Sequence, residues 1–190
     1  MGSYQICISG AARGESVEQG KELATAVGKS LAKAGHVLLS GATTGLPEHT
    51  AMAYKKAGGK ASLGISPAAT KVEHVLKYRL PVEHYDVILY TGLHYIGRDA
   101  LLINSSDAVV SIGGRLGTLH EFTIAMETHT PVALLQGAGG VSVEIEDLLK
   151  ILPNAHPELV IVDTDPDKLI AKLTQMLDKL HQPYRNIYKN

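Results

Sequence analysis

The chain has 190 residues, 18 Lys+Arg against 19 Asp+Glu for a formal net charge of -1, and 45% apolar positions. That balance excludes disorder, and the length suits one globular domain that buries about 70% of its unfolded surface. Near-zero charge with no basic run disfavours a nucleic-acid or polybasic membrane surface, so a small-molecule partner is expected. Cys7 is the only cysteine, which rules out intrachain disulfides and four-thiolate zinc sites and fits a reducing, cytoplasmic setting. The opening residues, Met1-Gly2-Ser3-Tyr4-Gln5-Ile6, have no cationic stretch leading into an apolar one, and no apolar run reaches the roughly 18 residues of a membrane span.

Short β-branched apolar runs alternate with longer segments of helical period. Strands are expected at 5–9, 36–40, 61–65, 86–90, 108–112, 132–135 and 159–162, and helices at 16–34, 49–57, 96–105, 118–127, 143–152 and 166–180. Several strands are continuously apolar, a pattern that requires cover on both faces of the sheet. The expected fold is therefore α/β: a Rossmann-like, doubly wound, mainly parallel sheet of about seven strands with helices on both faces. One domain over 1–180 and a surface tail at 181–190 are expected. The final helix places Leu169, Ile170, Leu173, Leu177 and Leu180 on one stripe that should pack on the sheet. Gly58-Gly59, Gly139-Gly140 and Pro153 read as turns within the domain, and the recurrence of Val-Glu-His at 72–74 and 82–84 is too short to be a repeat.

Chemistry concentrates where strands run into glycine-bearing turns: Ser9-Gly10-Ala11-Ala12-Arg13-Gly14, Ser40-Gly41-Ala42-Thr43-Thr44-Gly45 and Gly113-Gly114-Arg115-Leu116-Gly117-Thr118. In a parallel sheet these turns share the carboxyl edge, where open α/β sheets bind ligands. The third turn is the most specific, because glycines admit a ligand to the backbone while the following helix offers free N–H groups and its positive dipole end. Such a turn suits a phosphate, to which Thr118 can add a hydroxyl. It is neither a Gly-x-Gly-x-x-Gly nor a Walker A loop. Gly28-Lys29-Ser30 imitates the end of a Walker A loop, but Leu23 stands at the first glycine position and the segment is helical.

Glu121 can face the same edge, or it can close a capping box with Thr118. Arg98 stands near the start of its helix, where the macrodipole gives a cation no reason to be, which favours a ligand. Among nine histidines none forms His-Glu-x-x-His, and His120 should point about 100° away from Glu121, so no metal or cofactor is expected. Cys7, mid-strand in an apolar run, reads as inert packing.

Arg98 precedes the Asp107-Ala108 pair by nine residues and Glu121 by 23, and Gly114, Gly117, Thr118 and Glu121 fall on a Pro-Gly-Gly-x-Gly-Thr-x-x-Glu pattern. This arrangement resembles the Lonely Guy (LOG) family, once labelled lysine decarboxylase-like. With the turns at Gly10-Ala11 and Gly41 to Gly45, the resemblance spans about two-thirds of the chain. It implies a Rossmann-like nucleotide-binding fold, a homo-oligomer, and hydrolysis of the N-glycosidic bond of nucleoside 5'-monophosphates to free base and ribose 5-phosphate. On that resemblance Gly113, Gly114, Arg115, Gly117 and Thr118, with Gly10, Ala11, Gly41 and Gly45, would line the ligand site, and Arg98 and Glu121 would be the catalytic pair. The chain departs from the pattern in three places: Gly113 replaces the proline, Arg115 the second glycine, and Asp99 the lysine that usually follows the arginine. These departures are similar to a branch that includes molybdenum-cofactor carriers and, distantly, DNA-processing protein A. They imply the alternative of a carrier or sensor that binds a nucleotide or phosphorylated cofactor without turning it over.

Overall fold

The computed structural model describes residues 2–152, 156–184 and 187. Its elements in chain order are β1 (Gln5–Gly10), α1 (Glu15–Ala34), β2 (Val37–Ser40), α2 (Leu46–Lys56), β3 (Ser62–Ser66), β4 (Val87–Tyr90), α3 (His94–Asn104), β5 (Ala108–Ile112), α4 (Leu116–Glu127), β6 (Val132–Leu135), α5 (Ile145–Ile151), β7 (Val160–Asp163) and α6 (Pro166–Leu180). All seven strands pair in parallel, in the order β4-β3-β2-β1-β5-β6-β7. The chain therefore winds outward from β1 to one edge, returns to lay β5 beside β1, and winds to the other edge. Between β1 and β5 the order reverses, and connections on either side leave in opposite directions, opening a crevice beyond the strand ends.

Period-two alternation distributes the core. On one face Ile6, Ile8, Leu38 and Val110 pack with Ala24, Val27 and Leu31 of α1, Leu46 and Tyr54 of α2, and Leu169, Leu173 and Leu177 of α6. On the other, Cys7, Leu39, Ile65 and Val109 pack with Leu102 and Ile103 of α3 and Phe122, Ala125 and Met126 of α4. Each such aliphatic side chain contributes about 1.5–3 kcal/mol on burial. The thiol of Cys7 is wholly buried, and desolvation pushes its pKa well above the ordinary value, as the inert-packing expectation requires. In α6 the stripe is buried except for Leu180, which the last turn leaves exposed. Asp165 caps that helix by accepting from the backbone N–H groups of Asp167 (2.9 Å) and Lys168 (3.2 Å).

Several boundaries differ from expectation. Helix α2 begins at Leu46 rather than 49, since Pro47 is tolerated in the first turn, and α3 begins at His94 rather than 96. The stretch between β3 and β4 contains a π-helical turn at Glu73–Lys77, anchored by the buried His74, which lies 2.8 Å from Ser66 Oγ and 2.9 Å from the Pro81 carbonyl. The expected helix at 143–152 divides into a 3-10 turn at Val141–Val143 and α5. Within the expected tail Gln182–Tyr184 forms a 3-10 turn, and the turn expected at Pro153 lies outside the described residues. Gly28-Lys29-Ser30 is helical, and Gly28 lets α2 come so near that a Cβ would fall 2.8 Å from the Tyr54 amide nitrogen. Among the described residues no helix is long and apolar enough to cross a membrane.

Candidate functional site

Strand β1 alternates Ile6 and Ile8 toward α1 and α2, so Cys7 and Ser9 face α3 and α4. Ser9 is the last of these before the turn, at the switch point. Its hydroxyl donates to Glu121 Oε2 across the interface with α4. Beside it on β5, in register, is Ser111, buried and with its hydroxyl unpaired among the described residues. Glu121 is thus turned toward the strand ends and not toward its own helix start. The capping box is not formed: α4 begins at Leu116 with Arg115 as its cap, which leaves Thr118 at the third helical position.

Arg98, in the second turn of α3, lies on the same face of the sheet. Nη1 donates to the Ile65 carbonyl (3.2 Å), and Nε lies 3.1 Å from Asp99 Oδ1, close enough for an ion pair but not aligned as a hydrogen bond. Asp99 Oδ2 lies 2.9 Å from Nδ1 of His120, whose side chain is 38% exposed. The guanidinium occupies the space above Gly41 where a Cβ would otherwise stand. Gly41 is therefore required by the close approach of a side chain, not by its own backbone angle. Burial, the largest influence, raises the Glu121 pKa from 4.5 to about 7; Arg98 opposes that rise, Asp99 adds to it, and the Ser9 hydrogen bond opposes it. The result is a carboxyl that changes charge near neutral pH, set between a cation and a hydroxyl. His120, expected to point away, joins the group from the side through Asp99.

Above this buried group is a cleft of about 210 Å³ lined by Gly10, Ala11, Ala12, Arg13, Arg115, Gly117 and Thr118. Gly113 and Gly114 lie behind its wall: a Cβ on Gly113 would crowd Ser16 and Ala138, and one on Gly114 would strike the Thr118 side chain. Both have positive φ, 60° and 103°, and so form the tight turn that presents α4. Gly45 also stands back from the cleft, where it caps α2 and packs on the backbone of Ala12; Leu46 N–H donates to the Ala11 carbonyl (2.9 Å) and steadies the β1 turn. The glycines expected to touch a ligand are therefore of two kinds, those that line the cleft and those that shape it.

Over residues 3–170 the sequence matches the SLOG cluster4 family. This chain belongs to that family. An uncharacterised protein of Archaeoglobus fulgidus is 33% identical over 132 residues, which are 70% of this SLOG cluster4 chain and 80% of the relative. The molybdenum cofactor binding protein of Rippkaea orientalis is 27% identical, with 93% of this chain and 99% of the other covered at a TM-score of 0.71. The molybdenum cofactor carrier protein of Chlamydomonas reinhardtii is 25% identical over 93% of this chain and 99% of its own, with a TM-score of 0.74. The LOG-like resemblance read from Arg98, Gly117, Thr118 and Glu121 accordingly stands, as does its carrier-like branch, read from the departures at Gly113, Arg115 and Asp99.

Three residues of this SLOG cluster4 site escaped the motif reading. Ser9 was reachable in principle, as the α4-facing residue at the end of the first strand beside a reversal of strand order. Arg13 sits in a glycine-bearing turn but belongs to no pattern. Asp99 stood out as a departure from the LOG pattern, but its pairing with Arg98 and His120 depends on how α3 crosses α4.

Proposed function

We infer that this chain binds a phosphorylated, nucleotide-like small molecule at the crevice between β1 and β5 and acts as a carrier or sensor of it. The carrying observation is the cleft at the reversal of strand order, where the amino end of α4, the Thr118 hydroxyl and two arginines meet. The candidate catalytic pair lies beneath, committed to protein partners: Arg98 to Ile65 and Asp99, Glu121 to Ser9. The molybdenum cofactor that the Rippkaea protein binds and the Chlamydomonas protein carries supports a small-molecule cofactor as the ligand. A single, buried cysteine supports a reducing, cytoplasmic setting.

One observation favours a second reading, hydrolysis of an N-ribosidic bond. Glu121 titrates at about 7 beside Arg98, the range suited to general acid–base work. Titration with a panel of nucleoside monophosphates, paired with an assay for free base, separates the two. Binding without base release supports the carrier, whereas base release that is lost in Glu121→Gln establishes the hydrolase.

The cleft itself is tested by Gly117→Asp. A Cβ there meets nothing within 4 Å, and the backbone angle is an ordinary one, so the variant folds. An acidic residue in the first turn even favours the helix. The introduced carboxylate stands in the cleft and lowers phosphate-ligand affinity at least about tenfold, on the scale of ~1.5–3 kcal/mol for a charged hydrogen bond. Unchanged affinity removes the cleft from the reading.

We also infer a homo-oligomer. Edge strand β4 exposes Val87 and Leu89, which share the α3 face with Ile65, and the start of α3 exposes Leu93, Tyr95 and Ile96. An apolar surface of this kind on an edge strand and its neighbouring helix marks an association site. Light scattering should give a mass above 20.2 kDa for the wild type and a monomer for Ile96→Glu. A monomeric wild type excludes it.

A further inference from the structure

The arginine that replaces a glycine of the LOG pattern neither blocks the cleft nor points into solvent at random. Arg115 has extended backbone, φ -137° and ψ -152°, so the position needs no glycine. Its side chain runs from the cap of α4 across to the cap of α1, where the guanidinium rests against Gly14; a Cβ on Gly14 would collide with it. Arg13, one residue before Gly14, lines the same cleft. Two guanidinium groups thus stand beside the amino ends of α1 and α4, and among the described residues neither takes part in an ion pair. The first turn of α1 carries Glu15 and Glu18, the former engaged by Gln19, while the first turn of α4 has no acidic residue. The two helix ends are therefore not equivalent: α4 offers a bare anion cradle, and on the α1 side the positive charge comes from side chains.

Thr118 supplies an independent indication of a ligand. It is 4% exposed, it lines the cleft, and its hydroxyl makes no hydrogen bond among the described residues. That hydroxyl is not sealed off from the cleft, so a water or a ligand oxygen standing there can pair with it. The cleft volume of about 210 Å³ is many times the roughly 10–15 Å³ that one water needs on the same measure, which leaves room beside a single phosphoryl group.

We propose that Arg13 and Arg115 form a second anion subsite beside the cradle at Gly117 and Thr118, so that the cleft selects a ligand carrying a diphosphate over one carrying a monophosphate. The proposal rests on the reading of the cleft as a phosphate site. One phosphoryl group takes the α4 amides and the Thr118 hydroxyl, and the next takes the forked, charge-assisted hydrogen bonds that guanidinium groups make to phosphate oxygens.

Inorganic phosphate and inorganic pyrophosphate are suitable probes, since they need no assumption about the base. Calorimetric titration at fixed ionic strength should show pyrophosphate bound about ten- to a hundredfold more tightly by the wild type, the range of one or two charged hydrogen bonds. Arg115→Gly, whose new residue is itself an accepted helix cap, should lose most of that preference, its pyrophosphate affinity falling about tenfold more than its phosphate affinity. Arg13→Ala should lose part of it. A wild type that binds both probes equally, or an Arg115→Gly protein that keeps the preference, overturns the second subsite and leaves the cleft's phosphate role standing. Failure of the folded wild type to bind either probe overturns the phosphate reading itself.

Discussion

Replacing Arg98 with Met is expected to cost about 3–5 kcal/mol of folding stability, equivalent to a fall of about 6–20 °C in Tm for a chain of this size. The side chains of Arg98 and Asp99 are only 4% and 6% exposed. Removing the cation leaves the Asp99 carboxylate buried with the His120 ring as its remaining side-chain partner and takes the Arg98 donor from the Ile65 carbonyl. The lost term is dominated by that stranded carboxylate rather than by the worth of the pair. Replacing both partners with apolar residues of similar size, Arg98→Met with Asp99→Leu, should therefore recover most of the loss. Urea unfolding followed by circular dichroism measures each variant. A single-variant loss under about 1 kcal/mol would mean that the pair is better solvated than its burial implies.

Glu121 should make the protein less stable as pH rises. Its folded-state pKa, about 7, stands above the ordinary value of 4.5. Between those values the folded protein holds a proton that the unfolded chain has released, so the favourable contribution is complete below about pH 4.5 and is lost as pH climbs through 7. A separation of roughly 2.5 units at 1.36 kcal/mol each amounts to about 3 kcal/mol. His36 acts in the opposite direction, since burial lowers its pKa from 6.5 and its contribution is lost as pH falls. The difference between wild type and Glu121→Gln isolates the carboxyl, because Gln retains an acceptor for the Ser9 hydroxyl. Stability measured at intervals from pH 4.5 to 8 should diverge in favour of Glu121→Gln by up to that amount at the alkaline end. Parallel curves would show that Glu121 is already ionised when folded.

The sheet was legible because its signal is repeated: seven short apolar runs, each fixed by alternation and each separated by a helical segment, leave few other arrangements. Helix starts were harder. Thr118 followed three residues later by Glu121 has every local mark of a helix beginning, but Arg115 takes extended backbone and opens α4 at Leu116. Local capping preference lost there to a tertiary contact, the Ser9 hydroxyl on Glu121. The cleft was legible in Gly10, Ala11, Arg115, Gly117 and Thr118, since a strand that ends in glycines before a helix restricts what can stand there. Arg13 and Ser9 were not legible from motif spacing, because their importance comes from strands and helices brought together from distant parts of the chain. The same holds for Ser111, whose neighbour Ser9 is fixed only by the pairing of β1 with β5.

The absent side chain of Gly41 ties two remote positions into a fixed mutational order. While the Arg98 guanidinium fills the space over that residue, even alanine at position 41 must evict it and strand the buried Asp99 charge. Once position 98 carries something shorter, the same alanine has room. Divergence of this site can therefore proceed through position 98 first, and sequences that have lost the arginine are the ones in which the glycine is free to drift.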